Sequence, residues 1–312
     1  MNKTGVQGLH HITALAGEPL RNYRFYTKIL GFRLVKKTVN FDDPHTYHFY
    51  FGNKSAAPGS ILTFFPYPGI RKGTRGTEMI TEVSFSVPRE SFPFWEKRFR
   101  ERGVIYNNPA EKFGDIYLTF IDPDGLKIEL TAPQYADSRE PWSTCEVPAE
   151  NALRGIHGAT LTLNSVKKTA DILTGIFGYT PAGQETNRYR FLSDSSAGAP
   201  VIDLVELPQG MPGVVAGGTV HHIAFRVPDE AAQMRLREKI VSAGFQITEQ
   251  IDRSYFKSLY FREPGGVLFE IATDTPGFYS DEDEASLGTG LKLPPQHERL
   301  REEIESILPP LG

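Results

Sequence analysis

Leu9-His10-His11-Ile12-Thr13 near the start of the chain is answered far downstream by His221-His222-Ile223-Ala224, a second histidine doublet heading an apolar stretch. About fifty residues beyond it stands Pro264-Gly265-Gly266-Val267-Leu268-Phe269-Glu270. Two imidazoles and one carboxylate at matching places of a repeated architecture are the donor set of a reactive metal ion. The reading therefore turns on whether the chain repeats.

Four segments do so: His11 to Gly31-Phe32, Val83 to Gly103-Val104, Gly158 to Gly178-Tyr179, and His222 to Gly244-Phe245. Each has a strand-like start, a helix-like stretch and a closing Gly followed by an aromatic residue or Val, over gaps of 20, 20, 20 and 22 residues. In the helix-like pieces apolar side chains recur at helical spacing, as in Tyr23, Tyr26, Ile29 and Leu30, or Ile172, Leu173, Ile176 and Phe177. The closing Gly suits the left-handed residue that ends a helix. After it, residues alternate or run apolar between turn signals, most clearly Ile116-Tyr117-Leu118-Thr119-Phe120, then Asp122-Pro123-Asp124-Gly125, then Leu126 to Leu130. One such unit exposes an apolar sheet face, so units must pair. The expectation is an α+β fold of four βαβββ modules paired into two sheet-lined cups, with halves at residues 1–140 and 154–274 and a tail at 275–312.

A chain of 312 residues with 39% apolar residues can bury an ample core. Its net charge of −4 gives no basis for binding nucleic acid or an anionic membrane surface. The lone Cys145 cannot form an internal disulfide, corresponds to no repeat position and reads as a bystander. With no signal peptide or long apolar span, a reducing cytoplasm is the expected compartment. Pro133 to Leu153 reads as the linker between halves. Beyond Thr273 the acidic run Asp281 to Glu284 reads as a solvated face, and Gln296 to Leu308 has helical spacing.

Counting along the repeat selects the ligands. Where the first unit has His11, the others carry Val83, Gly158 and His222. Glu270 lies 26 residues after its unit's Gly, a spacing that gives Glu129 and Leu204 in two other units, while the turn of the first unit places Phe64 there. Only units one and four supply a histidine, so these two must share the metal cup. His11, His222 and Glu270 then form one face of the ion, an arrangement with open positions that points to non-haem Fe(II), with Mn(II) as substitute. Glu129, with no imidazole beside it, reads as a relic or an ion-pair partner. His45, His48, His157 and His297 read as packing or hydrogen-bonding residues. On a regular strand His10 and His221 would point to the opposite face, where they either steady the ligands or simply pack.

The motifs Gly8-Leu9-His10-His11-Ile12-Thr13, Leu34-Val35-Lys36-Lys37-Thr38-Val39-Asn40-Phe41-Asp42, Thr63-Phe64-Phe65-Pro66 and the tail Asp281-Glu282-Asp283-Glu284 to Ser286-Leu287-Gly288 resemble the hydroquinone-type ring-cleaving dioxygenases of the vicinal oxygen chelate superfamily. The likeness covers nearly the whole chain. It implies Fe(II) at His11, His222 and Glu270, and it matches Tyr260 and Arg253 to residues around the metal in that family. Tyr260 could hydrogen-bond an oxygen there and Arg253 could stabilise an anionic substrate; His10 and His221 are further candidates for moving protons, and Thr13 for the pocket wall.

The implied activity is Fe(II)-dependent opening of a hydroquinone ring with O2, catechols being a further substrate class and a homo-oligomer being compatible. Two alternatives share the scaffold. A glyoxalase-like isomerase or thiol transferase wants a second carboxylate on the metal, where Phe64 was placed. A non-catalytic quinone- or drug-binding protein would lack the triad.

Overall fold

The computed structural model describes residues 5–194 and 198–311; the outer ends of the expected first half and tail, residues 1 and 312, lie outside them. Each repeat is one βαβββ unit. The first holds β1 (Leu9–Ala16), α1 (Pro19–Arg24), β2 (Arg33–Val39), β3 (Tyr47–Gly52) and β4 (Ile61–Pro66). The second holds β5 (Met79–Ser86), α2 (Phe92–Arg102), β6 (Ala110–Lys112), β7 (Asp115–Ile121) and β8 (Lys127–Ala132). The third holds β9 (Gly155–Leu163), α3 (Lys167–Asp171), β10 (Thr180–Glu185), β11 (Arg188–Leu192) and β12 (Val201–Glu206). The fourth holds β13 (Thr219–Val227), α4 (Glu230–Ser242), β14 (Ile251–Asp252), β15 (Phe256–Arg262) and β16 (Leu268–Pro276). Gly31, Gly103, Gly178 and Gly244 all have positive φ, between 66° and 89°. The left-handed residue expected after each helix is thus present in every unit.

The strands form two eight-stranded sheets, one in the order β14-β15-β16-β13-β1-β4-β3-β2 and the other β10-β11-β12-β9-β5-β8-β7-β6. Units one and four therefore share one sheet, joined where β1 runs antiparallel to β13, and units two and three share the other across β5 and β9. Each sheet is a curled cup with helices packed outside. Along β1, Leu9, Ile12, Ala14 and Ala16 are fully buried on the helix side, while His11, Thr13 and Leu15 line the hollow. Aromatic residues fill the outer layer, with ring centroids 4.5 Å apart for Tyr26 and Phe64, 4.6 Å for Phe177 and Phe225, and 4.7 Å for Phe99 and Phe120. Each such ring contributes roughly 1.5–3 kcal/mol by burial, which fixes the strands and so the cup floor.

The tail departs from the sequence reading. Glu282 turns inward and Asp281 reaches in from the surface, and their carboxylates accept from the Nζ of Lys36, a lysine on β2 with no exposed surface. A buried ammonium without partners is far too costly to keep. The acidic run supplies its counter-charge: Glu282 is buried rather than solvated, and Asp281, still exposed, is tied to the lysine. Further on, Lys292 N donates to Lys37 O (2.9 Å), His297 bonds Phe41 O (2.9 Å), and α5 (Arg301–Ile307) closes the chain. The tail is laced along β2 and the loop that follows it.

Candidate metal centre

The doublets owe their geometry to two β-bulges. Leu9 pairs with Phe225 and His11 with Ala224, so His10 is an extra residue on β1; Thr13 pairs with His222 and Ala14 with Val220, so His221 is the extra residue on β13. A bulge re-aims the side chain that regular alternation would send through the sheet. His10 and His221 therefore do not point to the opposite face. Their Nδ1 atoms lie 2.9 Å from His11 Nδ1 and 2.7 Å from His222 Nδ1. With Nδ1 of each inner histidine engaged, both Nε2 atoms are free for an ion, an orientation metal-binding histidines generally need. His10 is buried, bonds the Thr273 backbone and packs on Phe256 (5.0 Å), whereas His221 opens to solvent at the rim.

His11 Nε2, His222 Nε2 and Glu270 Oε2 converge, the carboxylate oxygen standing 3.3 Å and 2.9 Å from the two nitrogens. All three side chains are buried, and among the described residues they are the one His/Cys/Asp/Glu group close enough to hold a single ion. Two donors about 2.1 Å from an ion and at right angles are about 3 Å apart, so the spacing fits a shared ion. Glu270 Oε2 also makes no properly angled hydrogen bond, although it is fully buried. Such an oxygen needs a cation. Its partner Oε1 is held by the hydroxyl of Ser258, on the neighbouring strand β15. Burial alone would raise the Glu270 carboxyl, but His11 and His222 outweigh it and hold the group well below the usual carboxylate range. The residues fit a divalent metal.

Above the triad lies a cavity of about 310 Å³ whose wall includes Thr13, Phe41, His48, Tyr50, Phe65, His221, Arg253 and Tyr260. Tyr260 pairs with Glu270 across β15 and β16, and its ring sits 5.7 Å from that of His222. Burial and then the Glu270 charge push its phenol up, against the opposing pull of Arg253, so the hydroxyl is protonated at neutral pH. The Arg253 guanidinium lies 5.6 Å over the Tyr260 and Phe41 rings and 3.6 Å from Asp42. It is a cavity residue, not a surface cation. His10 does not line the cavity.

Three side chains here escaped the sequence reading. Ser258 could have been found, since it lies two residues before Tyr260 on one strand face. His48 bonds a threonine as expected of a structural histidine, but it also forms cavity wall. Phe256 supports both His10 and His11, its ring 5.0 Å and 4.9 Å from theirs. Of the remaining histidines, His45 is exposed near Glu303 (3.7 Å) and His157 lies in the other cup beside Asp115 (3.4 Å). Cys145 is exposed, in the linker.

Strand register corrects the counting in the second cup. Ala224, two residues after His222, pairs with Glu270; the same step gives Thr63 in unit one, opposite Thr13, and Asp203 in unit three, opposite Thr160. Only Glu129, opposite Ser84, agrees with the count. The place first given to Phe64 thus belongs to Thr63, that of Leu204 to Asp203, and that of Val83 to Glu82, which stands to Thr160 as His11 stands to Ala224. Fixed spacing from a Gly cannot see bulges or uneven loops, and one residue of slip exchanges the two faces. Thr63 is no carboxylate, so the argument against glyoxalase-type ligation survives on a different residue. In the second cup Glu82, Glu129 and Asp203 are met by cations of the chain itself: Lys112 on Glu129 (2.6 Å), Arg188 on Glu82 and Asp203 (3.2 Å each), and Arg190 on Asp203 (2.9 Å).

Comparison with known proteins agrees with this architecture. Residues 8–130 and 155–271 match the Glyoxalase/Bleomycin resistance protein/Dioxygenase superfamily, and the chain belongs to it. MhqO of Bacillus subtilis (strain 168), provisionally named a ring-cleaving dioxygenase, is 45% identical over 303 residues, which is 97% of this chain and 96% of MhqO. The chlorohydroquinone/hydroquinone 1,2-dioxygenase of Sphingobium indicum is 36% identical over 308 residues, covering 96% of this chain and 95% of that enzyme. A crystal structure from Bacillus subtilis, of a protein provisionally named a dioxygenase, superposes with a TM-score of 0.95 at 43% identity, over 99% and 98% of the two chains. Glyoxalase I of Zea mays, at 15% identity and a TM-score of 0.64 over 86% and 92%, shares the fold alone.

Proposed function

We propose that the chain is an Fe(II)-dependent dioxygenase that opens the ring of a hydroquinone with O2, catechols being a second substrate class. The observation that carries this reading is the buried face of two imidazoles and one carboxylate opening onto an aromatic-lined cavity, in a chain similar along nearly its whole length to a hydroquinone dioxygenase. A cavity of about 150 Å³ accepts benzene, so 310 Å³ holds one substituted aromatic ring with room beside it. Fe(II), held by His11, His222 and Glu270, supplies redox chemistry and open positions for two reactants.

The chain's own groups do the rest. Arg253, inside the cavity, favours the ionised form of a phenol. Tyr260, protonated beside Glu270 and His222, can give a proton to a substrate oxygen in the cavity and take it back, and His221 at the rim can exchange that proton with solvent. Phe65, Phe256 and Tyr50 keep bulk water out. Among the described residues no helix is long and apolar enough to cross a membrane, and we place the enzyme in a reducing cytoplasm. The test is oxygen uptake with hydroquinones and catechols by protein loaded anaerobically with Fe(II). Uptake with iron that fades in air and returns with ascorbate plus Fe(II) is expected; full activity with zinc alone would overturn the reading, since Zn(II) has no redox chemistry.

A further inference from the structure

The turn that brings Arg253 to the cavity leaves β14 at Asp252 and enters β15 at Phe256. Within it Arg253 N donates to Phe256 O (3.0 Å) and Tyr255 N to Arg253 O (2.8 Å), while Ser254 sits in the left-handed region at φ 64°. A backbone held there by a residue other than glycine persists only where its surroundings impose it. The surroundings are the tail. Tyr255 is buried, its ring stacks on Phe278 at 5.1 Å, and Lys36 Nζ stands 4.8 Å from its centre. Its hydroxyl donates to Asp281 Oδ2 (2.9 Å), Asp281 Oδ1 accepts from Lys36 (2.6 Å), and Gly277 N donates to the Tyr255 carbonyl (2.8 Å). Phe278 also meets Tyr50 (5.2 Å) and Phe256 (6.4 Å), two residues of the cavity wall. Apart from Lys36, the groups that grip Tyr255 lie beyond residue 271, where the superfamily match ends.

We infer that the tail is a working part of the substrate site: Asp281 and Lys36, both outside the cavity, are positioning residues that hold Arg253 in place for an anionic substrate by gripping Tyr255. This rests on the reading above that Arg253 favours an ionised phenol. If the tail only covered apolar surface, Phe278 and its neighbours would be enough, because apolar burial has no direction. A charged hydrogen bond does have direction. The chain Lys36, Asp281, Tyr255 therefore fixes the rotation of one ring in a turn whose next residue but one, on the N-terminal side, is Arg253. Asp281 is itself exposed, so this grip can be loosened from the surface without touching the cavity.

The test uses the full chain loaded with Zn(II), so that nothing turns over, and titrates in 4-nitrophenol, whose coloured anion reports its own binding. Asp281→Ala removes the acceptor of the Tyr255 hydroxyl and leaves Glu282 on Lys36, so fold and zinc content should stay those of the parent. Nitrophenolate should nevertheless bind about fivefold more weakly, a loss of about 1 kcal/mol at 1.4 kcal/mol per decade. Asp281→Asn, whose side-chain oxygen can still accept from Tyr255, should recover most of that loss. Tyr255→Phe should reproduce it, and adding Asp281→Ala to Tyr255→Phe should weaken binding little further, as expected of two partners in one bond. In an Arg253→Met background Asp281→Ala should have no further effect. Parental affinity in Asp281→Ala, or a loss that persists in full without Arg253, overturns the inference and leaves ring cleavage standing. Conversely, the expected losses in a protein whose iron form consumes no oxygen with any diol defeat the dioxygenase reading and leave this one.

Discussion

Ser258→Ala removes a single hydroxyl from a fully buried strand position, and its effect can be followed in detail. The Ser258 hydroxyl donates to Glu270 Oε1 while Oε2 faces the ion position. A hydrogen bond to a charged group is worth about 1.5–3 kcal/mol. In the metal-free protein the His11 and His222 imidazoles still steady the ionised carboxylate, whereas with metal bound those imidazoles turn to the ion and the Ser258 hydroxyl is left to hold Oε1. Most of the loss therefore falls on the bound state, and at 1.4 kcal/mol per decade the dissociation constant should rise roughly 10- to 100-fold. The assay is competition for Mn(II) or Zn(II) against a chelator of known affinity, with thermal unfolding of the metal-free protein alongside. An unchanged metal affinity, or a loss matched by equal destabilisation of the metal-free protein, would refute the reasoning.

Tyr260→Phe should retain full metal and nearly parental stability yet lose about 10²-fold or more in oxygen uptake; a rate within about twofold of the parent would hand the proton role to His221. His11→Ala, His222→Ala and Glu270→Ala should each lose bound metal by elemental analysis, while Glu129→Ala, which breaks only the Lys112 pair in the other cup, keeps it; retention in any of the first three contradicts the assignment. Asp122 gives a pH test away from the metal. Burial, partly offset by the backbone N–H of Leu126, raises its carboxyl from 3.8 to about 6, so the folded state holds a proton that the unfolded chain releases. The sign is that of a raised acid: stability present below pH 4 falls as pH climbs to about 6, by about 3 kcal/mol in all. Asp122→Asn should flatten that slope in denaturant melts, and an unaltered slope would show that Asp122 does not titrate there.

The fold was legible because its signals are local and recur. A helix-ending Gly at a constant distance from a strand, four times over, leaves little choice of architecture, and the same repeat drew attention to His11, His222 and Glu270, which the structure brings together. What stayed hidden depends on contacts between strands. Period-two alternation sends His10 and His221 through the sheet, and only the pairing partners reveal that both are bulged residues turned toward the ligands. Thr63, Asp203 and Glu82 were missed by one position for the same reason, since register is set by partner strands and loop lengths. The hold of Asp281 and Glu282 on Lys36 stayed hidden because that partner lies about 245 residues away in sequence.

The second cup changes what losing the ion means for the whole molecule. Where the first cup offers two imidazoles and a buried carboxylate to an ion from solution, the second is neutralised by ammonium and guanidinium groups covalently attached to the chain. Those counter-charges cannot diffuse away, be exchanged or be oxidised. The molecule therefore has one half whose charges are balanced within the chain and one that leaves a place for an ion from outside. Under the function proposed above, iron would complete the first cup of a chain whose second cup is already complete.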